Sequence, residues 1–203
     1  MDLNLIAFGY LFLRLAPFIL VCFFTLSSIF NQDFKGFIYL AGVLLSVVFC
    51  MMVSKTMPFF PRPENYPEVC NFLLLDTTND TFNLPLATNM LTFTFAYLAY
   101  GMQENDVVKQ NSFTYLFFLI LLGLDTLWNY SNSCYNAIPL AVSGILGMAA
   151  GFIWGGILKS SKSTHLLYFS ALGRNDVCSR PSKQTFKCEV YKNGKKIATK
   201  LSK

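Results

Sequence analysis

The hydrophobic pattern of this chain is one of long apolar runs broken by polar stretches. Five runs are long enough for the roughly 20 residues that a membrane-crossing helix needs: residues 5–30, 34–53, 85–102, 113–130 and 137–158. They leave one long loop at 54–84 and a polar tail at 159–203. The spacing therefore predicts an all-α polytopic membrane bundle of about five transmembrane helices, residues 1–158, and a separate tail, residues 159–203. Within the tail, Thr185 to Lys192 alternates like a strand and Asn193-Gly194 is a favoured two-residue turn. Lys195 to Lys200 can then return as its partner, which predicts a small C-terminal β-hairpin.

Composition sharpens this picture. Apolar residues make up 54% of the chain, charged residues only 13%, and there are 21 Phe. An ordinary soluble domain carries about a quarter charged residues, so that class is excluded. Residues 1–158 hold five basic and nine acidic side chains, net −4, whereas residues 159–203 hold eleven basic and two acidic, net +9. By the positive-inside rule the tail belongs on the cytoplasmic side, with the 54–84 loop and the 130–136 turn opposite. Lys35 and Lys109, in short connections, fall on the tail side. The first run contains Arg14 and ends at Phe30-Asn31, which does not resemble a cleavable signal peptide.

Several residues break the apolar texture and carry the candidate chemistry. Lys55 and Arg62 stand seven residues apart around Pro58, Pro61 and Pro63. Either they converge on one anion, held by a Pro-stiffened loop, or they are interfacial anchors that snorkel from a helix end. The helix start at Pro85 could add free amides to the same anion. Arg14 and Asp125 are charges within spans, where a partner is expected; either they pair across the bundle, or Asp125 is wet beside Trp128-Asn129-Tyr130. Cys70 and Cys134 fall on the same predicted side and allow a disulfide if that compartment is oxidising. Cys178 and Cys188 are close enough in the tail to allow a local one. Cys22 and Cys50 read as small buried hydrophobes. No Cys/His spacing suggests zinc, so no metal and no cofactor are expected. Asn79-Asp80-Thr81 and Asn129-Tyr130-Ser131 are glycosylation sequons. In the fifth run, Ser143, Gly144, Gly147, Ala150, Gly151, Gly155 and Gly156 form a small-residue face for close helix contact. His165, the only histidine, reads as structural. The partners expected are membrane lipids, anionic ones included, and a protein at the basic tail; nucleic acid is an alternative for those charges, and simple solvation, the commonest meaning of such charges, is another.

Lys55, Arg62 and Pro63, with their membrane setting, resemble the first motif of the type 2 phosphatidic-acid phosphatase superfamily. The resemblance implies a helical membrane scaffold over about residues 35–158 and a phosphate contact by Lys55 and Arg62. At the family's second motif the chain reads Pro85-Leu86-Ala87-Thr88, keeping Pro and losing the leaving-group His. At the third, Ser133, Pro139 and Ser143 stand where Arg, the nucleophilic His and its Asp belong. The resemblance thus implies a non-catalytic relative, since none of these side chains can attack phosphorus or protonate a leaving group; the alternatives are a divergent lipid phosphatase, or a lipid-binding protein that keeps the Lys55 and Arg62 clamp without hydrolysis. Residues Cys178 to Lys192 with Asn193-Gly194 resemble in texture the tails of membrane proteins from large DNA viruses with an internal lipid layer. That implies a virion membrane protein within a larger assembly.

Overall fold

Each apolar run becomes one helix in the computed structural model, which describes residues 5–56, 70, 84–168, 187–192 and 195–201. The helices are α1 (Leu5–Phe30), α2 (Lys35–Thr56), α3 (Leu86–Glu104), α4 (Ser112–Ser131) and α5 (Ala137–Ser160). Pro17 lies inside α1, where its ring removes one backbone hydrogen bond, and it is buried.

The turns that follow α1, α3, α4 and α5 share one chemistry. Gln32, Asp106, Ser133 and Lys162 all have φ of 54°. Around Gln32, the amides of Gln32 and Asp33 donate to the carbonyls of Ile29 and Ser28; around Ser133, those of Ser133 and Cys134 donate to Tyr130 and Asn129. This left-handed cap satisfies the last carbonyls of a helix and is usually built on glycine. Here no glycine marks it, and the ends of the apolar runs are what placed these helix ends to within a few residues.

Contacts along the helices fix their directions. Asn89, Phe93 and Tyr100 of α3 meet Gly147, Gly151 and Gly155 of α5 in ascending order, so these two helices run parallel. Ser46 of α2 meets Asn89 while Tyr39 meets Thr94, so α2 runs against them. Cys70, the end of α4 and the start of α5 therefore gather at one end of the bundle. The turns carrying Lys35 and Lys109 gather at the other, where Lys159 pairs with Glu104 at 2.8 Å.

Among the described residues four helices are long and apolar enough to cross a membrane: Leu11–Phe30, Lys35–Thr56, Ser112–Ser131 and Ala137–Ser160. This corrects the expectation of about five such spans. The run in α3 is diluted by Thr88, Asn89, Thr92 and Thr94. These are tolerated because the other four helices all pack on α3, and every residue from Leu91 to Ala99 is buried. At about 1.5 Å per residue, α3 is nonetheless long enough to run the height of the bundle.

The most extensive helix contact is between α3 and α5. A Cβ at Gly151 would sit 2.6 Å from the Phe93 carbonyl oxygen and 2.8 Å from Ala96 Cβ, and one at Gly147 would collide with Thr92 and the Asn89 carbonyl. Near the other end, Tyr39, Phe93 and Tyr97 form an aromatic core, with the Phe93 and Tyr97 rings stacked at 6.2 Å. Thr94 donates to the Met90 carbonyl at 2.7 Å, so the 2.7 Å contact between Tyr39 and Thr94 has Tyr39 as donor.

The chain divides at Ser170/Ala171, later than the 158/159 boundary expected from charge. The reason is apolar: Leu167 is fully buried, and Tyr168 packs edge-on against Phe24 and bonds Ser27 at 3.1 Å. In the second unit, β1 (Lys187–Lys192) and β2 (Lys195–Leu201) pair antiparallel, Lys192 opposite Lys195 and Lys187 opposite Leu201, with an irregularity between Val190 and Tyr191. The Asn193-Gly194 turn lies outside the described residues.

Candidate functional site

Burying hydroxyls and amides inside an apolar bundle is unfavourable unless each finds a partner, and at one end of this bundle they are concentrated. Thr88 and Asn89 come from the first turns of α3, Ser46 from α2, Asp125 and Asn129 from α4, and Ser143 from α5. All are buried, Asn89 and Ser143 completely.

Two networks pair most of their polar atoms, leaving Asn129 Oδ1 buried without a hydrogen-bond partner among the described residues. In the first, Thr88 donates its hydroxyl to Asp125 Oδ2 at 2.8 Å. Asn129, one helical turn beyond Asp125, donates its Nδ2 to Asp125 Oδ1 at 3.2 Å and to the Asp125 carbonyl at 2.8 Å. In the second, Ser46 donates to Asn89 Oδ1 at 2.9 Å, Asn89 reaches the Ser143 carbonyl at 3.4 Å, and Ser143 donates to the Pro85 carbonyl at 2.7 Å. Together they join α2, α3, α4 and α5.

Arg14 is buried too, and its Nη2 donates to the Cys70 carbonyl. Its hydrogen bond goes to the backbone and not to the Asp125 carboxylate, whose direct partners are Thr88 and Asn129. Cys70 and Cys134 are joined by a disulfide, Cα atoms 5.6 Å apart, which ties Arg14's acceptor to the turn before α5. Cys22 and Cys50 are free; Cys50 is buried as expected, whereas Cys22 is exposed on α1, which corrects its reading as a buried residue. Cys178 lies outside the described residues, and Cys188 falls on β1.

Of the anion-clamp pair, Lys55 sits exposed in the last turn of α2; Arg62, Pro63 and Asn79 lie outside the described residues. His165 is exposed in a short 3-10 turn, Thr164–Leu166, beyond α5 and at the opposite end from Thr88. Asn129, read as a sequon, is buried with its amide bonded to Asp125, so its nitrogen is not presented for modification. Among the described residues no three His, Cys, Asp or Glu side chains group as metal ligands would.

Sequence reasoning did not find the Asn89 and Ser46 contact or either partner of Asp125. The spacing of four between Asp125 and Asn129 was a signal for that contact, because residues four apart on a helix are neighbours; the others join distant helices. No protein-family model, curated protein or solved structure matches the chain.

Proposed function

We propose that this chain is a non-catalytic multipass membrane protein with a structural or interaction role. Its helical bundle is stapled internally by polar contacts, and its basic tail folds as a hairpin that meets a protein partner on the cytoplasmic side. The observation that carries the reading is the use made of Thr88, Pro139 and Ser143. These stand where the resembled phosphatases keep catalytic groups, and here Thr88 bonds Asp125, Ser143 bonds the Pro85 carbonyl, and Pro139 is buried in the first turn of α5. Side chains committed to helix contacts in this way serve packing, as hydrogen-bonding residues between membrane helices do. The tail's resemblance extends the proposal to a virion internal membrane, with capsid or internal components as the partner.

The test is phosphate release from phosphatidic acid in mixed micelles by the intact protein, with Arg62→Ala and His165→Ala alongside. No turnover in any of the three is expected. Turnover by the wild type that is lost only in Arg62→Ala would overturn the reading and identify a divergent lipid phosphatase with Lys55 and Arg62 on the headgroup.

A further inference from the structure

Between α4 and α5 the bundle wall is open. The two helices pack on α3 but splay from each other, leaving a groove of about 760 Å³ whose floor is Thr88 and Thr92 of α3. We propose that this groove seats one acyl chain of a membrane lipid from the leaflet at the disulfide end of the bundle. The proposal rests on the membrane reading of the chain and goes beyond it by naming a specific seat.

Three observations point to a hydrocarbon tail. The first is the chemistry of the walls. Thr88, Thr92 and Thr126 line the groove, and each hydroxyl already donates to a protein acceptor: Asp125 at 2.8 Å, the Thr88 carbonyl at 2.8 Å and the Leu122 carbonyl at 2.8 Å. Their polar groups are committed to the protein, so the groove suits an occupant that asks for no hydrogen bond.

The second is depth. The lining begins at Tyr130 and Ala137, where α4 ends and α5 begins, and stops at Leu122 and Met148. From Ala137 to Met148 the helix rises about 16 Å at 1.5 Å per residue, close to half of the roughly 30 Å hydrocarbon thickness of a bilayer. Past Met148, Phe152 packs on Tyr100 and Phe118 on Phe95, so rings lie against α3 where the lining stops. A helix from a second copy needs a face that runs the full span; a single leaflet's chain needs only this half.

The third is room beside small residues. A Cβ at Gly123 of α4 would meet nothing within 4 Å, and one at Gly144 of α5 would touch only Thr92 Cγ2 at 3.7 Å. The opening is therefore not the close α3 contact that the neighbouring glycines serve.

The experiment places the full chain in bilayer nanodiscs containing a phosphatidylcholine with a photoactivatable diazirine midway along one acyl chain, and maps the adducts by peptide mass spectrometry. The expected result is adducts concentrated on the groove residues of α4 and α5, lost both in Gly123→Leu and in Ala141→Phe, which fill it from opposite walls. Ile157→Phe, on the outer face of α5, should leave them unchanged. Adducts spread evenly over the outer faces of the helices, and insensitive to filling, would keep the membrane reading and overturn the seat. Two chains per nanodisc by native mass spectrometry, with adducts absent from the groove residues of α4 and α5 and present on the other outer faces, would also overturn it, in favour of a dimer face. No adduct anywhere would remove both readings.

Discussion

Thr88 donates its hydroxyl to the carboxylate of Asp125 at 2.8 Å, while Arg14, the nearest buried cation on α1, donates instead to the carbonyl of Cys70. The carboxylate's direct interhelical contact is thus a neutral hydroxyl, and the arginine's is a backbone oxygen held by the disulfide. Double-mutant cycles separate these partnerships, because they isolate the pairwise term. Thr88→Val with Asp125→Asn should show coupling of about 1 kcal/mol, between the averages for hydrogen bonds to charged groups and for hydrogen bonds in membrane bundles. Arg14→Leu with Asp125→Leu should show less. Unfolding in mixed micelles measures both, and stronger coupling for the arginine cycle would mean that a true ion pair forms.

Gly151 and Gly144 stand on one helix and should respond oppositely to the same change. Gly→Ala in a helix interior ordinarily gains about 0.5–1 kcal/mol. At Gly144 the new methyl makes only an ordinary 3.7 Å contact, so Gly144→Ala should be neutral or stabilising. At Gly151 it would meet the Phe93 carbonyl at 2.6 Å, and forcing α3 and α5 apart should cost about 1–3 kcal/mol. Equal effects at the two sites in thermal unfolding would contradict the packing described.

The left-handed helix caps offer a gain in stability. Gln32 and Lys162 are exposed, with φ of 54°, a conformation that costs a residue with a Cβ about 1 kcal/mol or more. Gln32→Gly and Lys162→Gly should each stabilise by roughly 0.5–1 kcal/mol, with additive effects, since they cap different helices. A loss of stability in either would show that its side chain makes a contact worth more than the backbone relief.

Joining Cys70 to Cys134 closes a separation of 64 residues. Constraining a loop of this size typically contributes about 2–4 kcal/mol. Adding a phosphine reductant to the wild type in detergent should lower its thermal midpoint, whereas the Cys70→Ser, Cys134→Ser double variant should start at the lower value and ignore the reductant. A midpoint unaffected by reductant in the wild type, with both thiols then open to alkylation, would mean that the bond carries no stability.

How far the sequence reaches can be seen at α3. Its start at Pro85 and its aromatic run were legible, and so was the small-residue face of α5 against which it packs. Its place at the centre of the bundle was not. A run containing Thr88, Asn89, Thr92 and Thr94 resembles a weak span when only its own residues are counted. The partners that make those residues acceptable come from other helices, 37 residues away for Asp125 and, for the Ser143 that closes on Pro85, 58. Periodicity reports which face of a helix is apolar and says nothing of which distant side chain waits opposite a polar one.

By itself the sequence determined that this is a chain of membrane-compatible helices with a basic tail, because length and apolarity along a single run settle whether it can leave water. Tertiary structure alone decided that four helices encase a fifth, that Asp125 answers to Thr88 and Asn129 rather than directly to Arg14, and that α4 and α5 part to leave a groove. Those outcomes depend on side-chain volumes and hydrogen-bond directions meeting across helices, as where glycines let α5 sink onto α3. Linear spacing does not encode that meeting.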